Sequence, residues 1–155
     1  MKQIERIISG GQTGADRAAL DFALQNKILI GGFAPRNRRA EDGLISSVYP
    51  NLCEAETEDV AERTALNVKY SDATLIFSHG ELKGGSKLTK DFAERFGKPV
   101  LHIDFSSLTL EQAIEKTRNW LASVDCRVLN IAGARASEDE RIYDKTTEFL
   151  SELLD

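Results

Sequence analysis

The sequence predicts a single-domain α/β protein built on a parallel sheet of about five strands with helices packed on both faces. Short apolar runs rich in β-branched residues alternate with longer stretches whose apolar residues recur at helical spacing, which is typical of repeated βαβ units. The 155 residues suit one domain, and no linker-like segment divides them. We therefore expect one domain over residues 1–155.

The apolar runs set the expected order of elements. Strands are predicted at residues 4–8, 28–33, 73–77, 100–103 and 127–131. Helices are predicted to begin near residue 15, to run from 58 to about 70, to end at Gly97, and to cover 110–123 and 139–154. Thr57 is a possible N-cap of the second helix, and Gly97 suits the C-terminal cap of the third. The stretch from Pro35 through Pro50 lacks clear periodicity and is predicted to be a long functional loop.

Composition excludes several classes of function. The net charge of −5 argues against a nucleic-acid partner, and no apolar stretch is long enough to cross a membrane. The N-terminus carries charges where a signal peptide would need its apolar segment. Cys53 and Cys126 belong to no metal-ligand motif and are expected to be reduced, buried hydrophobes. These features together predict a cytoplasmic protein.

The first glycine-rich loop follows the first predicted strand and is Gly10, Gly11, Gln12, Thr13 and Gly14. Without Cβ atoms, its glycines would let a phosphate approach the backbone N–H groups at the start of a helix. The spacing fits neither GxGxxG nor the Walker motif.

Asp16 follows in the first helical turn. Its carboxylate either caps that helix or coordinates a positive group. The first role is the commoner one for an acid at this position.

Two further loops of this kind follow later strands. Gly84, Gly85, Ser86 and Thr89 form a second strand-to-helix turn, and Gly133 with Arg135 forms a third. His79 lies between the third predicted strand and the second of these turns. Because the carboxyl ends of parallel strands meet at one edge, all three loops are expected to share a ligand.

The long loop adds a cationic cluster, Arg36, Arg38 and Arg39, in an otherwise acidic chain. Arginine side chains match the geometry of phosphate and carboxylate groups. The cluster is either a solvated surface run paired with acids such as Glu41 and Asp42, or a lid that clamps an anion. Its place beside the glycine pair Gly31-Gly32 favours the lid.

Sequence motifs for catalysis are absent. There is no GxSxG elbow and no cluster of His and carboxylate residues with metal-ligand spacing, so we assign no catalytic and no metal-binding residue. His102 lies inside a predicted strand and is expected to be a core residue. Whether carboxylates from different parts of the chain come together in a site stays open.

Blocks of residues along the chain resemble the molybdenum cofactor carrier-like family, proteins similar to the algal molybdenum cofactor carrier. The first block is the loop from Gly10 to Gly14 with the residues up to Leu20. The later blocks are Gly31-Gly32-Phe33 with Pro35, residues 38–43, Arg63-Thr64 with Asn67-Val68, residues 71–76, Gly84-Gly85-Ser86 with Thr89, Lys98-Pro99, and residues 129–137. The blocks occur in order and cover nearly the whole chain.

This resemblance implies a three-layer, Rossmann-like fold of the group that includes the lysine-decarboxylase-like phosphoribohydrolases, called LOG proteins. It implies molybdenum cofactor as bound cargo and a homo-oligomer, dimer or tetramer. The enzymatic LOG proteins carry a PGGxGTxxE loop. This chain has Lys83 in place of the proline, Leu88 in place of the threonine and Asp91 in place of the glutamate.

Three functional hypotheses remain. The first is a non-catalytic carrier or binding protein for molybdenum cofactor (molybdopterin), with a phosphate held on the glycine loops. The second is a phosphoribohydrolase-like, nucleotide-processing enzyme that uses Asp91 or Glu81 as its acid–base residue. The third is a sensor domain that binds a nucleotide derivative without turnover.

Overall fold

The computed structural model of the protein describes residues 4–154, so part of the charged N-terminus used above lies outside the described residues. Eight strands and five α-helices follow one another in the order β1 (Arg6–Ile8), α1 (Ala15–Gln25), β2 (Leu29–Ala34), β3 (Arg39–Ala40), β4 (Gly43–Leu44), β5 (Leu52–Glu54), α2 (Val60–Lys69), β6 (Ala73–Ser78), α3 (Gly84–Arg95), β7 (Val100–Asp104), α4 (Leu110–Ser123), β8 (Val128–Gly133) and α5 (Ile142–Leu154). A short 3₁₀ turn, Arg36–Arg38, precedes β3.

Six of the strands form one parallel sheet in the order β5-β2-β1-β8-β6-β7, which confirms the predicted α/β, Rossmann-like class. Helices α1, α4 and α5 pack together, and α2 packs against α3, which gives three layers. The core between them is apolar, and Phe77, Phe149, Leu20 and Ile131 are among its largest fully buried side chains. The last strand, β8, lies in the middle of the sheet between β1 and β6.

The prediction of about five strands was one short. The missed strand, β5, has three residues and pairs only with β2 at the edge of the sheet. The predicted long loop also contains structure, because β3 and β4 form a two-stranded antiparallel hairpin. Elements this short bury too little surface to leave an apolar pattern in the sequence.

Two predicted caps had different outcomes. Gly97 follows α3 at a φ of +66°, the left-handed conformation expected after a helix. Thr57 is not the N-cap of α2, because Asp59 fills that place and its side chain accepts a hydrogen bond from the Ala61 N–H. Thr57 instead accepts from the Asp59 N–H through its hydroxyl.

The two cysteines differ in their exposure to solvent. Cys126 is buried, as predicted, and Cys53 is exposed on the edge strand, which contradicts the prediction for that residue. Burial raises the pKa of the Cys126 thiol to about 12, so it stays protonated at neutral pH. No helix among residues 4–154 is long and apolar enough to cross a membrane.

Gly32 shows how closely β1 and β2 approach where the first glycine loop begins. It has a φ of +123°, and a Cβ atom there would lie 2.2 Å from the Ser9 carbonyl oxygen. Gly43 has a similar φ of +116°, and a Cβ atom there would meet nothing within 4 Å. The two positions therefore share backbone strain and differ in crowding.

We expect Gly32→Ala to lower the free energy of unfolding by about 3 kcal/mol or more, because strain and a backbone collision add. Gly43→Ala should lower it by only about 1 kcal/mol, from strain alone. Urea unfolding of both variants measures the difference. Equal losses of unfolding free energy in the two variants would show that the Ser9 carbonyl does not restrict the backbone at residue 32.

Candidate functional site

A cleft of about 400 Å³ opens at the carboxyl ends of β1 and β8, between the N-terminal parts of α2 and α3. From β1 the sheet extends through β2 to β5 on one side, and β6 and β7 extend it on the other. Ligands of open parallel sheets bind at such a reversal of strand order. The residues that line the cleft are Gly10, Gln12, Asp16, Asp59, Val60, Ala61, Arg63, Thr64, Asn67, Gly84, Gly85, Ser86, Leu88, Thr89, residues 130–133, Arg135 and Glu138.

The N-terminus of α3 forms one wall. Its first residues, Gly84 and Gly85, have no neighbour within 4 Å of the position a Cβ atom would take. Their N–H groups donate to no acceptor among residues 4–154, and no side chain caps the helix. Ser86 is in the same turn. Unpaired amides at the positive end of a helix dipole are a favourable place for an anion.

The facing wall contains a buried arginine. Arg63 extends from α2 with 8% of its surface exposed, and its Nη1 lies 3.3 Å from the Asp16 Oδ2. Its Nε is buried without a hydrogen-bond partner in the described part of the chain. Because Arg63 also lines the cleft, a guanidinium nitrogen that is not buried can bind an anion there.

The Asp16 carboxylate is the only acceptor that the guanidinium has in this arrangement among residues 4–154. Asp16 Oδ2 also accepts the Gln12 N–H, at 3.3 Å. Burial raises the pKa of the Asp16 carboxyl above its ordinary value, and Arg63 and the Gln12 amide lower it only in part. Asp16 therefore supports the loop and pairs with a cation rather than capping α1, whose N-cap has no side-chain bond.

The first glycine loop differs most from its predicted role. Three of its five N–H groups are taken by the protein: Gly11 donates to Ser9 Oγ at 3.3 Å, Gln12 to Asp16, and Thr13 to Gln12 Oε1 at 3.0 Å. Of the five residues in the predicted loop, Gly10 and Gln12 line the cleft. The Gly11, Gln12 and Thr13 amides are therefore engaged within the protein.

The glycines of this loop make room for protein groups. A Cβ atom at Gly10 would lie 1.6 Å from Arg63 Nη1, so the guanidinium rests directly on the main chain there. A Cβ atom at Gly14 would lie 2.3 Å from the Ala134 carbonyl oxygen. At Gly11 the space is bounded by Ile45 and Leu52 side chains.

The predicted arginine cluster does not reach the cleft. Arg38 donates to the carbonyl oxygens of Leu52 at 3.0 Å and Ser46 at 2.9 Å, so it holds the long loop together. Arg36 Nη1 lies 3.5 Å from the Glu56 carbonyl oxygen. Arg39, in β3, is exposed. None of the three arginines lines the cleft, so they form no clamp over it in this structure. The guanidinium of Arg38 is engaged by backbone carbonyls instead.

The remaining predicted residues divide in the same way. Gly133, Arg135, Ser86 and Thr89 line the cleft. His79 does not, because its Nδ1 lies 2.5 Å from the Asp139 Oδ2 in a separate groove beside α5.

The acids of the enzymatic hypothesis, Asp91 and Glu81, line another groove together with His102 and Asp104. His102 is half-buried there, and its Nε2 lies 2.6 Å from the Ser78 hydroxyl. Burial lowers the pKa of the His102 imidazole. Among residues 4–154, no three His, Cys, Asp or Glu side chains come together as metal ligands.

Arg63 is a cleft residue that the sequence does not predict for the site. It belongs to one of the blocks that carry the family resemblance, and the apolar positions of its helix do not single it out. Arg63 and Asn67 lie one turn apart on the buried face of α2. Polar residues at inward positions of a predicted helix were the available signal.

We expect Asp16→Asn to lower the free energy of unfolding by about 3–5 kcal/mol, because it leaves the Arg63 charge buried without a partner. Adding Arg63→Met to that variant should restore part of the loss. The control is Glu94→Gln, which breaks the exposed Lys90–Glu94 pair and should change stability by less than about 0.5 kcal/mol. Urea unfolding compares the variants, and equal effects of the two single changes would contradict a buried ion pair.

Comparisons with known proteins agree with this architecture. A model of the circularly permutated YpsA SLOG family matches residues 7–154. The crystal structure of a "Putative molybdenum carrier protein" from Syntrophus aciditrophicus SB is 51% identical in sequence with a TM-score of 0.96, and the match covers 98% of this chain and 96% of that chain. This confirms the family resemblance drawn from the sequence blocks.

The other comparisons add little. (E)-4-Hydroxy-3-methyl-but-2-enyl diphosphate reductase matches at 12% identity and a TM-score of 0.41, over 96% of this chain and 59% of that chain, which is too low to bear on fold or function. No curated protein matches the sequence.

The topology fits a permutation. If β8 and α5 preceded β1, the strands β8, β1, β2 and β5 would run outward from the centre of the sheet in chain order. Sequential strands in such folds usually lie side by side. The chain belongs to the circularly permutated YpsA SLOG family.

Proposed function

We propose that this protein binds and carries a phosphate-bearing ligand, and that the ligand is molybdenum cofactor or a similar phosphorylated heterocycle. The observation that carries the proposal is the cleft whose two walls present positive groups to an anion. One wall has the unpaired amides of Gly84 and Gly85, and the other has the guanidinium of Arg63.

The roles of the residues follow from their chemistry. The α3 amides and the Ser86 hydroxyl hold the phosphate, and Arg63 neutralises it from the opposite wall. Arg135 is half-exposed at the mouth and adds a second positive charge. The apolar lining from Val60, Ala61 and Leu88 faces the ring system of the ligand.

The ligand identity comes from similarity. A protein named as a molybdenum carrier shares about half of this sequence and nearly the whole fold. Molybdenum cofactor is an anionic pterin phosphate, the class of ligand that this donor set suits. We also propose that the protein is cytoplasmic and forms a homo-oligomer.

We prefer binding to hydrolysis because the acids proposed for catalysis lie elsewhere. Asp91 and Glu81 line the groove beside β7 and not the cleft. Asp16 does line the cleft, but its carboxylate is engaged by Arg63 and the Gln12 amide. Incubation with nucleoside monophosphates should therefore release no free base, and release would support the enzymatic alternative.

The proposal is tested by the cargo itself. Protein purified from a host that makes molybdenum cofactor should yield a fluorescent pterin after acid release, and a native mass spectrum should show the bound mass and the number of subunits. Apo protein that also ignores added cofactor in a titration would overturn the ligand assignment. Binding of nucleotides such as ADP-ribose instead would favour the sensor hypothesis.

A matched pair of variants tests the α3 wall. Gly85 has an ordinary φ and open space, so Gly85→Asp and Gly85→Asn should both fold. The aspartate places a negative charge among the anion donors and should weaken binding about ten-fold or more relative to the asparagine. Equal affinities of the two variants for molybdopterin or inorganic phosphate would place the anion elsewhere.

A further inference from the structure

The β3–β4 hairpin carries two acids that tie it to the first glycine loop. Asp42 pairs with Arg17 through contacts of 2.9 and 3.2 Å, and Arg17 also donates to the Gly11 carbonyl oxygen. Glu41, its neighbour, turns toward Thr13 and Ser137. Glu41 and Asp42 therefore tie the turn of the hairpin to neighbouring loops, whereas Arg38 holds the long loop through backbone carbonyls.

The Glu41 carboxylate is surrounded by donors from two strand-end loops. Ser137 donates its N–H at 3.0 Å and its hydroxyl at 2.6 Å, and Thr13 donates its hydroxyl in a short contact. The Thr13 oxygen accepts the Ala136 N–H at 3.0 Å, so its single proton is directed to Glu41. Arg135 Nε lies 3.8 Å from the carboxylate. This donor set is what a phosphate oxygen requires.

The Glu41 carboxylate is reachable from solvent, and two residues that contact Glu41 also line the cleft. The Glu41 side chain is 21% exposed, so a dissolved anion can approach it. Arg135 lines the cleft and contacts Glu41. Gln12, another cleft residue, accepts the Glu41 N–H through its side-chain oxygen at 2.9 Å.

The charge state of Glu41 makes it a competitor for anions. Hydrogen bonds from Ser137 and Thr13 lower the pKa of its carboxyl, so it is ionised at neutral pH. A phosphate cannot share these donors with a carboxylate, because two negative groups in contact repel. One of the two must leave.

We propose that Thr13, Ser137 and Arg135 form a second anion subsite at the mouth of the cleft, that Glu41 occupies it in the free protein, and that an anionic group of the ligand displaces Glu41 and releases the β3–β4 hairpin. The inference rests on the proposed function, because it assigns a second binding subsite to the same ligand. A ligand that fills both the cleft and this subsite carries two anionic groups.

Inorganic pyrophosphate is the probe, titrated into the full-length protein by calorimetry, with amide hydrogen exchange of residues 39–44 as a second readout. Glu41→Gln removes the competing charge and keeps the size of the side chain, so it should bind pyrophosphate about ten-fold more tightly than the unchanged protein. Ser137→Ala should bind it more weakly. Pyrophosphate should also speed the exchange of the hairpin amides in the unchanged protein.

Asp42→Asn is the matched control. It loosens the same hairpin through Arg17 but leaves Glu41 in the subsite, so exchange should speed up while affinity stays within about two-fold. If Glu41→Gln changes affinity no more than Asp42→Asn does, or if pyrophosphate slows the hairpin exchange, the Glu41 contact is only a structural tie and the proposal is wrong.

The Gly85→Asp variant separates this failure from failure of the proposed function. If the unchanged protein binds pyrophosphate and Gly85→Asp abolishes that binding while Glu41→Gln has no effect, the cleft binds anions and only the second subsite falls. If neither the unchanged protein nor Glu41→Gln binds pyrophosphate or phosphate, both proposals fall together.

Discussion

The contact between Arg63 and the main chain at Gly10 is the constraint on which the rest of the site depends. It joins α2 to the end of β1, and it is possible only because residue 10 has no Cβ atom. The guanidinium then reaches Asp16, whose carboxylate holds the Gln12 amide. One buried cation therefore fixes the position of α2, the shape of the first glycine loop and one wall of the cleft. The Nε is left buried without a partner in the described part of the chain, and this is the energetic cost of the arrangement.

Acids and one arginine, Arg38, organise the long segment between β2 and α2. Glu41 and Asp42 fasten the β3–β4 hairpin, and Glu54 accepts the Asn37 N–H at 2.6 Å. Glu62 accepts the N–H groups of Glu56 and Thr57 ahead of α2. The segment also buries Ile45, Tyr49 and Leu52 in the core. The exposed β3–β4 hairpin has no such anchor, so it depends most on these bonds, and each exposed bond contributes little by itself.

The sequence was sufficient for the elements that bury an apolar face. β6 is six consecutive buried residues, and α1 buries alanines, Leu20 and Phe22 at helical spacing, so pattern and structure coincide there. The short strands β3, β4 and β5 have no such signature: β5 lies at the sheet edge with two of its three residues exposed, and β3 and β4 have two residues each. The hairpin is specified by hydrogen bonds from distant residues, and no local pattern encodes those.

The cleft lies at the edge of the sheet where the sequence predicts a site, but several amides of the first glycine loop are engaged by the protein. A glycine in a sequence shows that a Cβ atom is missing and does not show what uses the space. At Gly85 the space is open to solvent and available to a ligand, whereas at Gly10 it is filled by Arg63 and at Gly14 by the Ala134 carbonyl. Arg63 is 53 positions from Gly10 along the chain, and Ala134 is 120 positions from Gly14. Only the folded arrangement brings these residues together. Glycine-rich loops after parallel strands therefore locate a site more reliably than they identify the atoms that bind, and the buried cation nearest to them is the better indicator of the charge of the ligand.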